Sequence, residues 1–210
     1  MNTVYEVHFP DHHVDALEVS VAKAAASRMA LSTFHLQTCS ERPMFRTICA
    51  RDLALLLNID VNVADFRCLP GIVEGTDASG DKLRHVPDFL VTYENGDRVF
   101  LDADGPARFR PLDPGVGYSS IGEDEIRTEP RMTNAREAFR YSLHQVSMSD
   151  RLRLQAALRD NPSISLVEAS TAIRMSDDEF ACIIALAVKR VLHIDWSEVI
   201  GPDTRVRLAR

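Results

Sequence analysis

The chain has 210 residues, 45% hydrophobic and 26% charged, which is ordinary globular composition. That excludes a collagen, a disulfide-stapled miniprotein and a wholly disordered chain, and no apolar run approaches the ~20 residues needed to span a bilayer. The 24 Lys and Arg against 31 Asp and Glu leave a net charge of −7, so any nucleic-acid contact must come from a local patch and not from bulk charge.

Met1 to Pro10 lacks the basic start and apolar stretch of a secretory signal. The four cysteines (Cys39, Cys49, Cys68, Cys182) are scattered without a CxxC pair, as in reduced, mostly buried thiols. Both features point to a cytoplasmic protein with no membrane partner. Val14 to Leu31 has near-helical apolar spacing. The adjacent His12 and His13 point apart on any regular element and make a poor metal clamp.

Pro43 opens an amphipathic helix over 44–58, with Phe45, Ile48, Cys49, Leu53, Leu56 and Leu57 on one face. Val61 to Leu69 is extended, Pro70-Gly71 breaks it, Ile72-Val73 resumes a strand, and Gly75 to Asp81 is a polar turn. Arg84 to Tyr93 and Asp97 to Asp104 form a hairpin around Glu94-Asn95-Gly96. A two-residue turn pairs Asp88 with Ala103 and puts Asp88 and Asp102 on opposite faces. A three-residue loop with Gly96 left-handed pairs Asp88 with Asp102. The residues suit both turns, and a one-residue slip decides whether a two-carboxylate site exists.

Residues 105–117, rich in Pro and Gly, read as an irregular loop, followed by a short strand at Tyr118 to Ile121. Thr133-Asn134 caps a helix to about His144. Three helices follow from Ser149. The second opens with the capping box Ser165 to Glu168, and the third with Ser176 to Glu179 and runs to about Leu192. His193 to Ser197 and Thr204 to Leu208 then form a hairpin. Three helices and a hairpin make a winged-helix layout, with Trp196 as a core anchor between wing and helix.

The hairpin 85–104 carries the clearest chemistry. A Pro-Asp at one strand start, facing an acid on the next strand, can hold a divalent cation, and such a cation can polarise a phosphodiester and activate water. Asp102 and Asp104, at i and i+2, share a strand face. The bland alternative is a solvated hairpin with acidic ends. In the C-terminal part, Phe180 to Val188 is apolar nearly all round and reads as core. Asp177, Asp178 and Glu179 at its start would repel phosphates. Residues 151–210 hold nine basic and eight acidic side chains, so the negative charge resides in the rest of the chain. Arg205 and Arg207 on one strand face, with Arg210, form a modest candidate DNA-binding patch. A winged helix used only for protein docking or structure is the other reading. No GxSxG elbow, Walker loop or GxGxxG occurs.

The run from Arg51 to Asp104 resembles the TnsA-type transposon endonucleases of the PD-(D/E)XK superfamily. Ala50 to Leu57 matches the family helix, Val61 to Phe66 with Arg67-Cys68-Leu69-Pro70 the first strand, and Pro87-Asp88-Phe89-Leu90-Val91 the second. Asp124 to Arg127 and Asn134-Ala135-Arg136 look like the link to a C-terminal domain, and the ordered similarity spans about 45–205. The resemblance implies an α/β fold: a restriction-endonuclease-like mixed sheet with flanking helices, followed by a winged-helix domain. The domains would be 1–40, an N-terminal extension; 41–130, the nuclease-like core; 131–148, a connecting helix; and 149–210, the winged helix. It also implies Mg²⁺-dependent cleavage of DNA alongside a transposase and an ATPase regulator. Asp88, Asp102 and Asp104 would be catalytic, with Asp88 and Asp102 holding Mg²⁺. Two positions depart from the pattern: Ala50 stands where the family has a helix Glu, and Asp104 where it has the catalytic Lys. Asp in place of Lys reverses the sign of the interaction with a developing phosphate charge. A catalytically lapsed scaffold that binds DNA or a partner is therefore the alternative function.

Overall fold

The computed structural model describes residues 35–105 and 109–209. The helix expected over 14–31, His12, His13 and Arg210 lie outside them. Helix α1 (Ile48–Ile59) begins later than expected because Thr47 is its cap, accepting a hydrogen bond from Ala50 N and so satisfying one of the amides a helix start leaves open. Phe45, assigned by its spacing to the helix, reaches the core from the non-helical segment before it and packs on Phe89, ring centroids 6.4 Å apart.

The strands β1 (Val63–Cys68), β2 (Val73–Thr76), β3 (Lys82–His85), β4 (Phe89–Tyr93), β5 (Arg98–Ala103), β6 (Arg110–Pro111) and β7 (Gly117–Ile121) follow. The larger sheet has the order β1-β4-β5-β7. Its first three strands are antiparallel and β7 runs parallel to β5, so the sheet is mixed. A smaller sheet has the order β3-β2-β6. The strand expected from Arg84 to Tyr93 is therefore two strands in different sheets. Val86-Pro87-Asp88 turns the chain between them, and Pro87 has no N–H for a ladder. Gly75 and Thr76, expected in a turn, extend β2, and the expected loop 105–117 supplies β6.

Phe89 pairs with Leu101 and Thr92 with Arg98, which is the register of the three-residue loop. Tyr93 N donates to Asp97 O at 2.9 Å, and Gly96 holds φ +88°, a conformation that glycine adopts without Cβ strain. Alternation along the strands then sorts the side chains. Phe89, Val91, Leu101 and Ala103 join Val63 and Phe66 in the main core beneath α1. Leu90 and Phe100 cluster with Val116, against Val73 and Tyr118, on the other face.

Helices α2 (Glu123–Ile126) and α3 (Arg131–Tyr141) flank the same core through Ile126, Met132, Ala135 and Ala138. Thr133 and Asn134 are not the cap of α3 but lie inside it. Asn134 instead donates to the Trp196 and Glu198 carbonyls at 2.9 and 2.7 Å, joining α3 to the last segment of the chain. That segment contains α4 (Met148–Asp160), β8 (Ile164–Ser165), α5 (Leu166–Ser170), α6 (Glu179–Val188), β9 (Leu192–His193) and β10 (Arg205–Leu208). The Ser165–Glu168 capping box is present. Asp178, not Ser176, caps α6. The helix ends at Val188 because Arg190 turns left-handed at φ +56°. From there Arg190 donates to the Asp60 and Val63 carbonyls and to Glu94. The two-stranded hairpin is a three-stranded sheet, β8-β10-β9, because a two-residue strand at Ile164–Ser165 was too short to show a period. Ala181 to Val188 are all buried, as their composition implied. Among the described residues no helix is long and apolar enough to cross a membrane.

Asp150 is the buried polar knot of this segment. Its carboxylate accepts from Ser147 Oγ, Arg174 N and Met175 N, and pairs with Arg153. Burial raises its pKa, but these donors outweigh burial and push it down to about 2. Asp150→Ala is expected to lower the urea-unfolding free energy at pH 7 by about 2 kcal/mol. Because the folded pKa is depressed, the stabilisation is present above the usual value of 3.8 and is lost as pH falls toward about 2. Urea melts should show the gap between wild type and variant closing over that window.

Candidate functional site

Asp88 precedes β4 and Asp102 lies in β5, and both fall on the face opposite α1. They are 5% and 1% exposed. Each carboxylate reaches across to the other residue's strand. Asp102 Oδ1 accepts from Asp88 N at 2.9 Å, and Asp88 Oδ2 accepts from Ala103 N at 3.0 Å. Gly105 closes over the pair, and a Cβ there would lie 2.3 Å from Asp102 Cβ.

The cation between them is Arg46, from the segment that leads into α1. Its Nη2 lies 2.8 Å from Asp88 Oδ1 and 3.4 Å from Asp102 Oδ1, and its Nε donates to Asp88 Oδ1 at 2.9 Å. The fourth oxygen, Asp102 Oδ2, meets His85 Nε2 at 2.5 Å and accepts from the Tyr118 hydroxyl at 2.7 Å. His85, Phe109 and Tyr118 stack edge to face, centroids 5.1–6.2 Å apart, and wall this side of the site with aromatic surface.

These surroundings push the two acids apart. Burial dominates at Asp88 and raises its pKa, against the opposing pull of Arg46. Burial acts on Asp102 too, but the hydrogen bonds from His85 and Tyr118 outweigh it and lower the pKa. Burial and the bond to Asp102 together hold the Tyr118 proton in place.

Mg²⁺ is the metal that the resemblance implies, and it asks for open carboxylate oxygens and room for its waters. All four oxygens here already have partners, and a guanidinium stands between the carboxylates. Among the described residues no group of three or more His, Cys, Asp or Glu is placed to hold a metal ion. The residues as arranged do not fit Mg²⁺. Asp104 does not share the face of Asp102: β5 ends at Ala103, and Asp104 is exposed and left-handed at φ +60°. Arg205 and Arg207 are exposed on one face of β10, on either side of the buried Val206, as their spacing implied.

Asp88 and Asp102 are thus brought together, while Arg46, His85 and Tyr118 carried no role in the sequence. Arg46 stands 42 positions from Asp88, with no local signal of its partner. Tyr118 reaches Asp102 only because β7 lies parallel beside β5. Another buried acid, Asp52 in α1, is held by Arg51, Arg127 and Arg136, and ties α1 to α2 and α3.

No protein-family model matches the chain, and no curated protein matches it.

Arg46→Ala leaves two buried carboxylates without their cation and is expected to cost about 3 kcal/mol at neutral pH. Asp88 already has a raised pKa, so its ionisation opposes folding as pH rises through that value. Losing Arg46 raises it further. Urea melts at pH 5 and pH 8 should show a larger loss at pH 8. Gly105→Ala, which drives a methyl into Asp102, should cost about 1–3 kcal/mol in the same measurement.

Proposed function

We propose that the chain is a TnsA-like DNA-processing protein of a transposon or other mobile element, with a restriction-endonuclease-like core that serves as a DNA-binding scaffold in the cytoplasm instead of cutting. The observation that carries this reading is Arg46 in the seat between Asp88 and Asp102. An internal cation there neutralises the acids without giving a phosphodiester either a Lewis acid or an activated water. The absence of a Lys at position 104 agrees with it.

The mixed sheet flanked by helices supports the core assignment. The order helix, strand, helix, helix, strand, strand from Met148 to Leu208 supports a winged helix. In this reading the wing meets DNA. Helix α6 is buried over Ala181 to Val188 and cannot lie in a groove, whereas Arg205 and Arg207 face solvent. Two arginine–phosphate contacts give modest, salt-sensitive and largely sequence-independent affinity. A transposase or an ATPase regulator would supply the catalysis and the targeting.

The convergence of Asp88 and Asp102 favours a second reading, Mg²⁺-dependent cleavage, which Arg46 opposes. One assay separates them. Labelled duplex DNA is incubated with the full chain in Mg²⁺ or Mn²⁺, and nicking and binding are both followed across salt. The scaffold predicts bound, uncut DNA, with the salt slope falling by about 2 in Arg205→Ala/Arg207→Ala. Metal-dependent nicking that Asp88→Ala abolishes would establish the second reading, and no binding at low salt would overturn both.

A further inference from the structure

Cys39 and Cys68 are set apart from the other thiols. Their sulfurs are 4.0 Å apart, whereas Cys49 and Cys182 touch no thiol among the described residues. The backbone beside Cys39 is fixed to β1. Cys39 bridges Phe66 in parallel, Phe66 N donates to Thr38 O at 2.8 Å, and Ser40 N donates to Phe66 O at 3.2 Å. A disulfide needs the sulfurs at about 2.05 Å, so side-chain rotation with a small shift can close the gap. Cys39 is only partly buried, while Cys68 is 1% exposed. One thiol is therefore open to a small oxidant and the other waits behind it.

We propose that Cys39 and Cys68 form a peroxide-driven disulfide, a covalent modification site that fastens the segment carrying Arg46 to β1. The Cys39 thiolate attacks a hydroperoxide oxygen, the O–O bond breaks, and an alcohol or water leaves with a proton, giving Cys39 sulfenic acid. The Cys68 sulfur then attacks Cys39 Sγ, the S–O bond breaks, and the Cys68 proton leaves with the hydroxide as water. Two thiols lose two electrons in all and the peroxide gains them. The asymmetry of the pair supports this order. The hydrogen bond from Cys68 lowers the Cys39 thiol, and the same bond together with burial raises Cys68, so the attacking thiolate forms at the accessible position.

The consequence follows from the chain path. Cys68 pairs with Phe89, and Leu69 N donates to Asp88 O at 2.8 Å, so this end of β1 adjoins the carboxylate pair. Cys39 opens the stretch that delivers Phe45 to Phe89 and Arg46 to Asp88. A bond between the two cysteines restrains that stretch beside the site it closes.

The test treats the reduced full-length chain with hydrogen peroxide. The intact monomer should lose the mass of two hydrogens, and a non-reduced digest should show one linked peptide pair containing Cys39 and Cys68. Reductant should reverse both. Cys39→Ser should form no disulfide, and Cys68→Ala should leave a Cys39 sulfenic acid that dimedone traps. Amide exchange over 40–46 should slow several-fold on oxidation. Thiols that remain free after peroxide, a bond between two chains, or a bond to Cys49 or Cys182 would overturn the proposal. Unchanged exchange over 40–46 would overturn the fastening. The digest of the wild-type chain reads the linkage without any variant having to fold.

Discussion

Taking two carboxylates out of water side by side costs several kcal/mol per ion unless a cation and hydrogen bonds replace the lost solvation. At Asp88 and Asp102 every carboxylate oxygen has such a partner, although at Asp88 burial still outweighs Arg46. Two backbone amides, one guanidinium, one imidazole and one phenol engage the four oxygens. Much of the surrounding structure serves that arrangement. Thr47 caps α1 so that Arg46 lies just outside the helix, β7 runs parallel to β5 so that Tyr118 comes within reach, and β3 leaves His85 beside Asp102.

This constraint also separates the structure from the chemistry its carboxylates suggest. A metal-dependent nuclease needs its acids open to a cation and to water. Here the cation is covalently part of the chain and brings no water. The same pair of acids that makes a nuclease reading attractive in the sequence makes a structural reading the better one once Arg46 is in place. DNA contact, in the proposed function, then moves to the exposed arginines of β10, a surface independent of the acids.

Short-range patterns are legible in the sequence. The Ser165–Glu168 capping box, the buried α6 and the hairpin around Glu94-Asn95-Gly96 all rest on residues within a few positions of one another. The hairpin register is open between two turns in the sequence; Asn95 outside the left-handed region and Tyr93 N bonded to Asp97 O mark the one that pairs Asp88 with Asp102. The differences have two physical causes. Thr133 and Asn134 look like a cap, yet Asn134 serves the Trp196 and Glu198 carbonyls more than sixty positions away. Arg84 to Tyr93 reads as one strand, yet Pro87, which has no N–H for a ladder, divides it between two sheets, a break marked locally in the sequence. A distant partner decided the case of Asn134, and a local period carries no record of it. Arg46 is the most consequential example, because nothing adjacent to it marks its role.

Diffraction from crystals grown in MnCl₂, with data collected for the manganese anomalous signal, tests the central claim most directly. The account predicts density for the Arg46 guanidinium between Asp88 and Asp102 and no anomalous peak there. A manganese peak bridging the two carboxylates, with Arg46 displaced, would contradict it.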